Sequence, residues 1–127
     1  MVEAGDLEVF GDPEAAIVAP GGQIFFVMDE EGVRGTCAVI RHDGETFEIA
    51  KMAVEPAARG RGYGDRLMVA AIDFARSARA RRLMLVSNTR LASALALYRK
   101  HGFIPVPLDP ANGYTRADIQ LELELPR

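Results

Sequence analysis

Short apolar runs of strand character alternate along this chain with two longer runs at helical spacing. Gln23 to Met28 is a compact apolar strand. Asp29-Glu30-Glu31-Gly32 turns it into Val33 to Ile40, where Gly35, Cys37 and Val39 alternate with Arg34, Thr36 and Ala38, so the two predict a hairpin. His42-Asp43-Gly44 makes a second turn into Thr46 to Val54. The two faces of that strand, Phe47, Ile49 and Ala53 against Ala50, Met52 and Val54, are both largely apolar, which marks it as central. From Tyr63 to Ala80, Leu67, Ala71, Phe74, Ala75 and Ala78 fall on one side of a helix, with Asp73, Arg76 and Ala80 opposite. Leu83 to Val86 is a short continuous apolar strand, and the passage from Thr46 to Val86 is a strand-helix-strand unit with parallel strands. A second helix over Leu91 to His101 is capped by Thr89 or Asn88, shares Leu91, Leu95 and Tyr98 on one face, and stops at Gly102. Phe103 to Val106 and Ile119 to Leu125 read as the last two strands. Ahead of all this, Asp12-Pro13 opens a short helix over Glu14 to Ile17, ended by Pro20-Gly21-Gly22. The pattern predicts an α/β fold: a mixed, mostly antiparallel sheet with a central βαβ unit, in one domain over residues 1–127 with its core in 23–125.

The chain is organised around Arg59-Gly60-Arg61-Gly62-Tyr63-Gly64, between the central strand and the first long helix. Alternate glycines free the backbone to turn with positive φ and to approach a ligand without intervening side chains. The first N–H groups of the helix that follows have no acceptor within it and carry the positive end of its dipole, so the segment is an anion site suited to a phosphate. A Walker loop is excluded, because no Lys-Ser or Lys-Thr follows these glycines. A dinucleotide fingerprint counted from Gly60 fails at Asp65, where its third glycine belongs.

Charge sharpens this picture. The net charge is −3, yet residues 59–100 hold ten of the fifteen Lys and Arg residues and only two acids, Asp65 and Asp73. A phosphate-rich ligand is drawn to that region and a cationic one to the acidic remainder. Arg76, Arg79, Arg81 and Arg82 are equally the solvated dressing of a helix, whereas Arg59 and Arg61 sit beside the loop and read as ligand contacts. The whole is not basic enough to suggest nucleic acid. A single cysteine, Cys37, permits no intrachain disulfide and reads as a buried small hydrophobe; no Cys/His spacing suits a metal. No apolar run approaches a membrane span, and the acidic start (Glu3, Asp6, Glu8) lacks the pattern of a leader, so the expectation is a cytoplasmic protein without membrane contact.

The loop, read as R-x-x-G-x-G through Arg59, Gly62 and Gly64, resembles the pyrophosphate loop of the GNAT family of acyl-CoA N-acyltransferases. Leu97-Tyr98-Arg99-Lys100-His101-Gly102-Phe103 resembles that family's L-Y-x-K-x-G-F signature, and the likeness extends over roughly residues 23–125. It implies a GNAT fold and an acetyl-CoA-dependent N-acetyltransferase in which the acetyl group passes directly to a primary amine on a small molecule or peptide. It implies further that backbone groups of Met52 and Val54 pair with the pantetheine arm of acetyl-CoA, and that the stretch Arg59, Gly60, Arg61, Gly62, Tyr63 and Gly64 holds its pyrophosphate through backbone amides of Arg61 to Gly64. Side chains of Met52 and Val54 can pack in the core at the same time.

Proton transfer asks for two more groups. An ammonium must lose a proton before it attacks, and Glu48 is the candidate base. It has the alternation of Met52 and Val54, and it lies sixteen residues before Gly64, where histone-type members of the family carry a glutamate base. Its other reading is a strand-end carboxylate paired with Lys51 or Arg41. Tyr98 is the candidate acid for the leaving thiolate, or else a core tyrosine. His42, in a turn, reads as surface. Tyr114, Arg116 and Asp118 line the acceptor site or dress the last hairpin.

Two departures from the family carry expectations of their own. Only 22 residues precede the first hairpin, so the family's opening strand and a helix of the acceptor groove are expected to be missing. The Gln23 to Met28 strand is then a bare apolar edge, which favours a homodimer. Asn88 is displaced from the family's N-x-x-A position and takes no role. A CoA-binding module without catalysis, acting as a sensor or partner subunit, is the alternative function.

Overall fold

The computed structural model of the chain describes residues 7–9, 21–108 and 117–126. Among the described residues seven strands form one sheet in the order β1-β2-β3-β4-β5-β7-β6: β1 (Leu7–Val9), β2 (Gln23–Asp29), β3 (Gly32–Arg41), β4 (Thr46–Val54), β5 (Arg82–Ser87), β6 (Ile104–Val106) and β7 (Ile119–Glu124). Two α-helices, α1 (Tyr63–Ser77) and α2 (Ala92–Lys100), stand between β4 and β5 and between β5 and β6 in the chain, and a 3-10 turn over Pro56–Ala58 precedes α1. The expected mixed sheet is present, with β4 fourth of seven. Every neighbouring pair is antiparallel except β4 with β5.

The sequence's hairpins form where its turns place them. Gly32 has φ +110, and Asp29 Oδ1 accepts the Glu31 N–H at 2.8 Å, which closes the β2-β3 turn. Asp43 Oδ1 does the same for the Glu45 and Thr46 amides at 2.7 and 2.8 Å. One expectation is corrected at the sheet edge. β1 pairs antiparallel with β2 from Leu7↔Val27 to Val9↔Phe25, so an opening strand is present in short form and the β2 edge is covered over those residues. The ground offered for a homodimer is removed to that extent. The helix expected over Glu14 to Ile17 lies outside the described residues, as do Tyr114 and Arg116.

The main core joins one sheet face to both helices: Phe25, Val27, Cys37, Val39, Phe47 and Ile49 meet Leu67, Met68, Ala71 and Ala75 of α1 and Leu95 and Tyr98 of α2. Gly35 lets α1 approach. A Cβ there would stand 2.9 Å from Val27 Cγ1, 3.0 Å from the Ala53 carbonyl and 3.1 Å from Leu67 Cδ1. Because one of those atoms is backbone, Gly35→Ala is expected to destabilise the protein by about 2–3 kcal/mol, read as a lower midpoint of urea unfolding. The opposite face carries a smaller cluster of Ile24 and Ala38, with Phe26 and Ile40 against it.

Both helices end in the same way. In α2 the Phe103 amide bonds to the Tyr98 carbonyl and the Gly102 amide to that of Arg99, with Gly102 at φ +96. These are the two reverse bonds of a Schellman ending. In α1 the Ala80 and Arg79 amides bond to Ala75 and Arg76, and the left-handed position falls on Arg79 at φ 63. The helix expected to reach Ala80 therefore stops at Ser77.

Two irregularities in β4 matter for the site. From Thr36 to Ala38 is two steps on β3, whereas their partners run from Ala53 to Ala50, three steps on β4, so β4 carries a bulge. The second concerns β5: pairing runs only over Thr46↔Arg82, Phe47↔Leu83 and Glu48↔Met84, although β4 continues to Val54 and β5 to Ser87. Beyond Glu48 the two strands part.

Candidate active site

The parting of β4 from β5 opens into a cleft of about 730 Å³. Met52 to Val54 form one wall, Arg59, Gly60 and Gly62 to Asp65 of the loop and helix start another, and Arg90 to Ala94 with Leu97 and Tyr98 of α2 a third. Of the residues that the sequence brought into view, Met52, Val54, Arg59, Gly60, Gly62, Tyr63, Gly64 and Tyr98 line this cleft, whereas Arg61 does not. The N-terminal turn of α2 was not singled out; its apolar Leu91, exposed ahead of the helix, was the available signal.

The loop presents an open backbone surface. Gly60 and Gly62 both have φ +82, and a Cβ on either would meet nothing within 4 Å, so the space before them is open. Gly62 is the residue before the first turn of α1, and its carbonyl accepts the Arg66 amide; the amides of the intervening turn have no acceptor within the helix. Gly64 serves differently from the other two. Its φ is not positive, and a Cβ would stand 3.1 Å from Leu97 Cδ2, so this glycine lets α1 and α2 pack closely beside the cleft.

The side chains around the loop are less directed at a ligand than the sequence suggests. Arg59 Nε donates to the Val54 carbonyl at 3.2 Å, tying the loop back to β4. Arg61 Nη1 lies 3.7 Å from Asp29 Oδ2, and the Tyr63 hydroxyl donates to the same oxygen at 2.7 Å. Tyr63 is buried and its hydroxyl is held by that bond. Asp65, an acid beside the glycine loop, is offset by the end of α2: Lys100 Nζ and His101 Nε2 contact its Oδ1 at 3.0 and 2.8 Å. Those contacts, Lys100 first, hold its carboxyl below the ordinary range. In the L-Y-x-K-x-G-F run, then, Tyr98 faces the core and cleft, Lys100 ties α2 to α1, Gly102 ends the helix and Phe103 is buried.

Tyr98 packs at a ring distance of 6.3 Å from Phe103. Burial, and next the nearby Cys37, raise its phenol above the ordinary value, so it stays protonated through the physiological range. Cys37 is fully buried and its thiol is pushed up to about 12, in keeping with a small core residue.

Glu48 lies elsewhere than strict alternation predicts. It pairs with Ile40, which packs in the smaller cluster, while Val54 pairs with Gly35 on the α1 side. The bulge between them changes the parity, so Glu48 does not share a face with Val54. It is 3% exposed, at the last β4-β5 pair, and is not among the residues lining the cleft. His42, expected as plain surface, reaches its Oε1 through Nε2 at 2.6 Å.

The loop leading into α2 differs from the cap expected there. Asn88 Oδ1 accepts the Arg90 amide at 2.9 Å, and Thr89 gives both its amide and its hydroxyl to Asp118 at 2.7 Å. Leu91 precedes the helix without a side-chain cap. Asp118 thus fastens the cleft's third wall to β7. Among the described residues no group of three or more His, Cys, Asp or Glu side chains could hold a metal, and no described helix is long and apolar enough to cross a membrane.

Residues 20–105 match the family model of the acetyltransferase (GNAT) domain. An IAA acetyltransferase of Azospirillum brasilense is 38% identical over 81 residues, which are 62% of this chain and 53% of the relative. A mycothiol acetyltransferase of Corynebacterium glutamicum is 34% identical over 80 residues, 63% of this chain but 27% of its own length. The match thus spans about half of the first relative and about a quarter of the second. Among solved structures, a GNAT-family acetyltransferase of Staphylococcus aureus Mu50 superposes with a TM-score of 0.81 at 20% identity, over 91% of this chain and 75% of the other. One from Elizabethkingia anophelis with acetyl-CoA bound gives 0.75 at 18% identity, over 94% and 97%. At such identities the likeness speaks for the fold, and the fold and the family model agree. The chain belongs to the GNAT acetyltransferase family.

Proposed function

We propose that this chain is a single-domain, acetyl-CoA-dependent N-acetyltransferase acting on a primary amine of a small molecule or peptide. The observation that carries the reading is the junction of an open, positive-φ glycine loop and a helix start with the gap where β4 and β5 part. An anion of the size of a pyrophosphate suits the first, and a slender arm bearing amides suits the second, as an added strand would. Acetyl-CoA, when bound, supplies the acetyl group and a thiolate leaving group. The amides about Gly62 hold the pyrophosphate, and the backbone of Met52 and Val54 holds the arm. Glu48, at the last pair before β4 and β5 part, takes the proton that the ammonium must lose. The freed amine's lone pair then forms the new C–N bond as the C–S bond breaks, and the second proton the nitrogen sheds replaces the one that Tyr98 gives up. Tyr98, kept protonated by burial, gives its proton to the departing sulfur.

The test is thermal. Acetyl-CoA at about a hundred times its dissociation constant should raise the melting temperature by several degrees, and ATP or NAD at equal concentration should leave it nearly unmoved. Equal stabilisation by ATP would sink the CoA assignment.

One observation favours a second reading, a CoA-binding module without catalysis: Glu48 does not line the cleft. Thiol release from acetyl-CoA across a panel of amines, peptides and polyamines separates the two. Release above the amine-free rate supports the enzyme, and CoA binding with no release across the panel supports the module.

A further inference from the structure

Asp29, the last residue of β2, is the centre of a charge cluster for which the reading above has no use. Its Oδ2 accepts the Tyr63 hydroxyl at 2.7 Å and lies 3.9 Å from Arg34 Nε and 3.7 Å from Arg61 Nη1. The carboxylate is 9% exposed and the Arg34 side chain 6%. Arg34 also pairs with Glu31, approaches Glu55 at 3.8 Å, and has an Nε without a hydrogen-bond partner among the described residues. The cluster therefore gathers the end of β2, the start of β3, the residue after β4 and both neighbours of Gly62. The Tyr63 bond is the chief cause of the lowered Asp29 carboxyl, and the same bond raises the phenol, so proton and charge are divided as in a charge-assisted hydrogen bond.

A shielded carboxylate and guanidinium are poor devices for stability alone, since desolvation offsets much of their attraction. Their placement is more informative. Gly60 and Gly62 leave the loop backbone free to adopt many shapes, and ordering it on binding would cost entropy. A tether on each side of Gly62 removes that freedom beforehand.

We propose that Asp29 is the positioning residue of the pyrophosphate loop: through the Tyr63 hydroxyl and the Arg61 guanidinium it fixes both neighbours of Gly62, so the loop amides are set before the ligand arrives. This role rests on the CoA reading above. It also gives the β2-β3 turn a task in a site that its own residues do not line.

Calorimetric titration with CoA tests it on the unaltered protein and on Tyr63→Phe, Asp29→Ala and Asp29→Asn. Tyr63→Phe keeps the buried ring and loses only the tether, and both it and Asp29→Ala should bind CoA about tenfold more weakly. Asp29→Asn retains an oxygen for the Tyr63 hydroxyl and should recover most of the affinity. If Asp29→Ala does not fold, Tyr63→Phe decides alone. Variants that melt earlier yet bind CoA as the parent does would overturn the role and leave the cluster a purely structural one. An Asp29→Asn protein as weak as Asp29→Ala would overturn the hydrogen-bonded route. Absence of CoA binding by the unaltered protein would overturn the CoA reading together with this role.

Discussion

Tyr98→Phe is expected to lower kcat by about 10²-fold or more while leaving CoA affinity and thermal stability close to the parent's. The separation follows from what the hydroxyl touches. The ring packs on Phe103 and within the main core, and Phe keeps both contacts. The hydroxyl makes no hydrogen bond to another described residue, so its removal leaves no orphaned partner there. What is lost is the proton for the leaving sulfur. Because burial raises this phenol, the parent holds that proton throughout the neutral range, and the defect should persist at every pH between 6 and 9. The check is kcat measured beside a CoA titration and a melting curve on the same preparation. A variant turning over at the parent rate would return Tyr98 to the core as a packing residue.

Glu48→Gln should fail in a different way. Gln matches the carboxylate in shape but cannot accept the ammonium proton, so kcat should fall by about 10²-fold near neutral pH. The amine acceptor loses its own proton as pH approaches about 10, so the loss should shrink steadily with rising pH. His42, half exposed and 2.6 Å from Glu48, keeps a hydrogen-bonding partner in the amide, which limits structural damage. A pH-rate profile for both variants with one confirmed amine makes the comparison. A Glu48→Gln defect that does not change with pH would assign this residue to architecture or acceptor binding.

Where sequence reading succeeded, the signal was local. The β2-β3 hairpin, the central strand, the loop and helix start, and the Gly102 stop all depend on residues within one turn or strand of each other. Its failures have equally physical causes. A bulge inserts one residue without a compositional mark, and so the alternation that placed Glu48 with Val54 broke at Lys51 or Met52. Arg79 took a left-handed position usually given to glycine, and α1 stopped early. Asp29 and Tyr63 stand 34 residues apart, and Thr89 and Asp118 stand 29 apart; no periodicity records such meetings. β1 escaped notice because three residues are too few to show a period.

The three-pair seam between β4 and β5 has a consequence for selectivity by thickness. An unpaired strand edge on the outside of a protein invites any extended chain, and folds ordinarily defend such edges with charge or proline. Here the edge beyond Glu48 faces inward, across a gap walled by α1 and α2. A peptide strand lying there would bring side chains toward those walls at every second residue. An arm with amides along its length and less bulk beside them meets the walls less. The same splay that leaves hydrogen-bonding capacity open within the sheet therefore sets it away from the outer edges and favours a guest slimmer than a peptide.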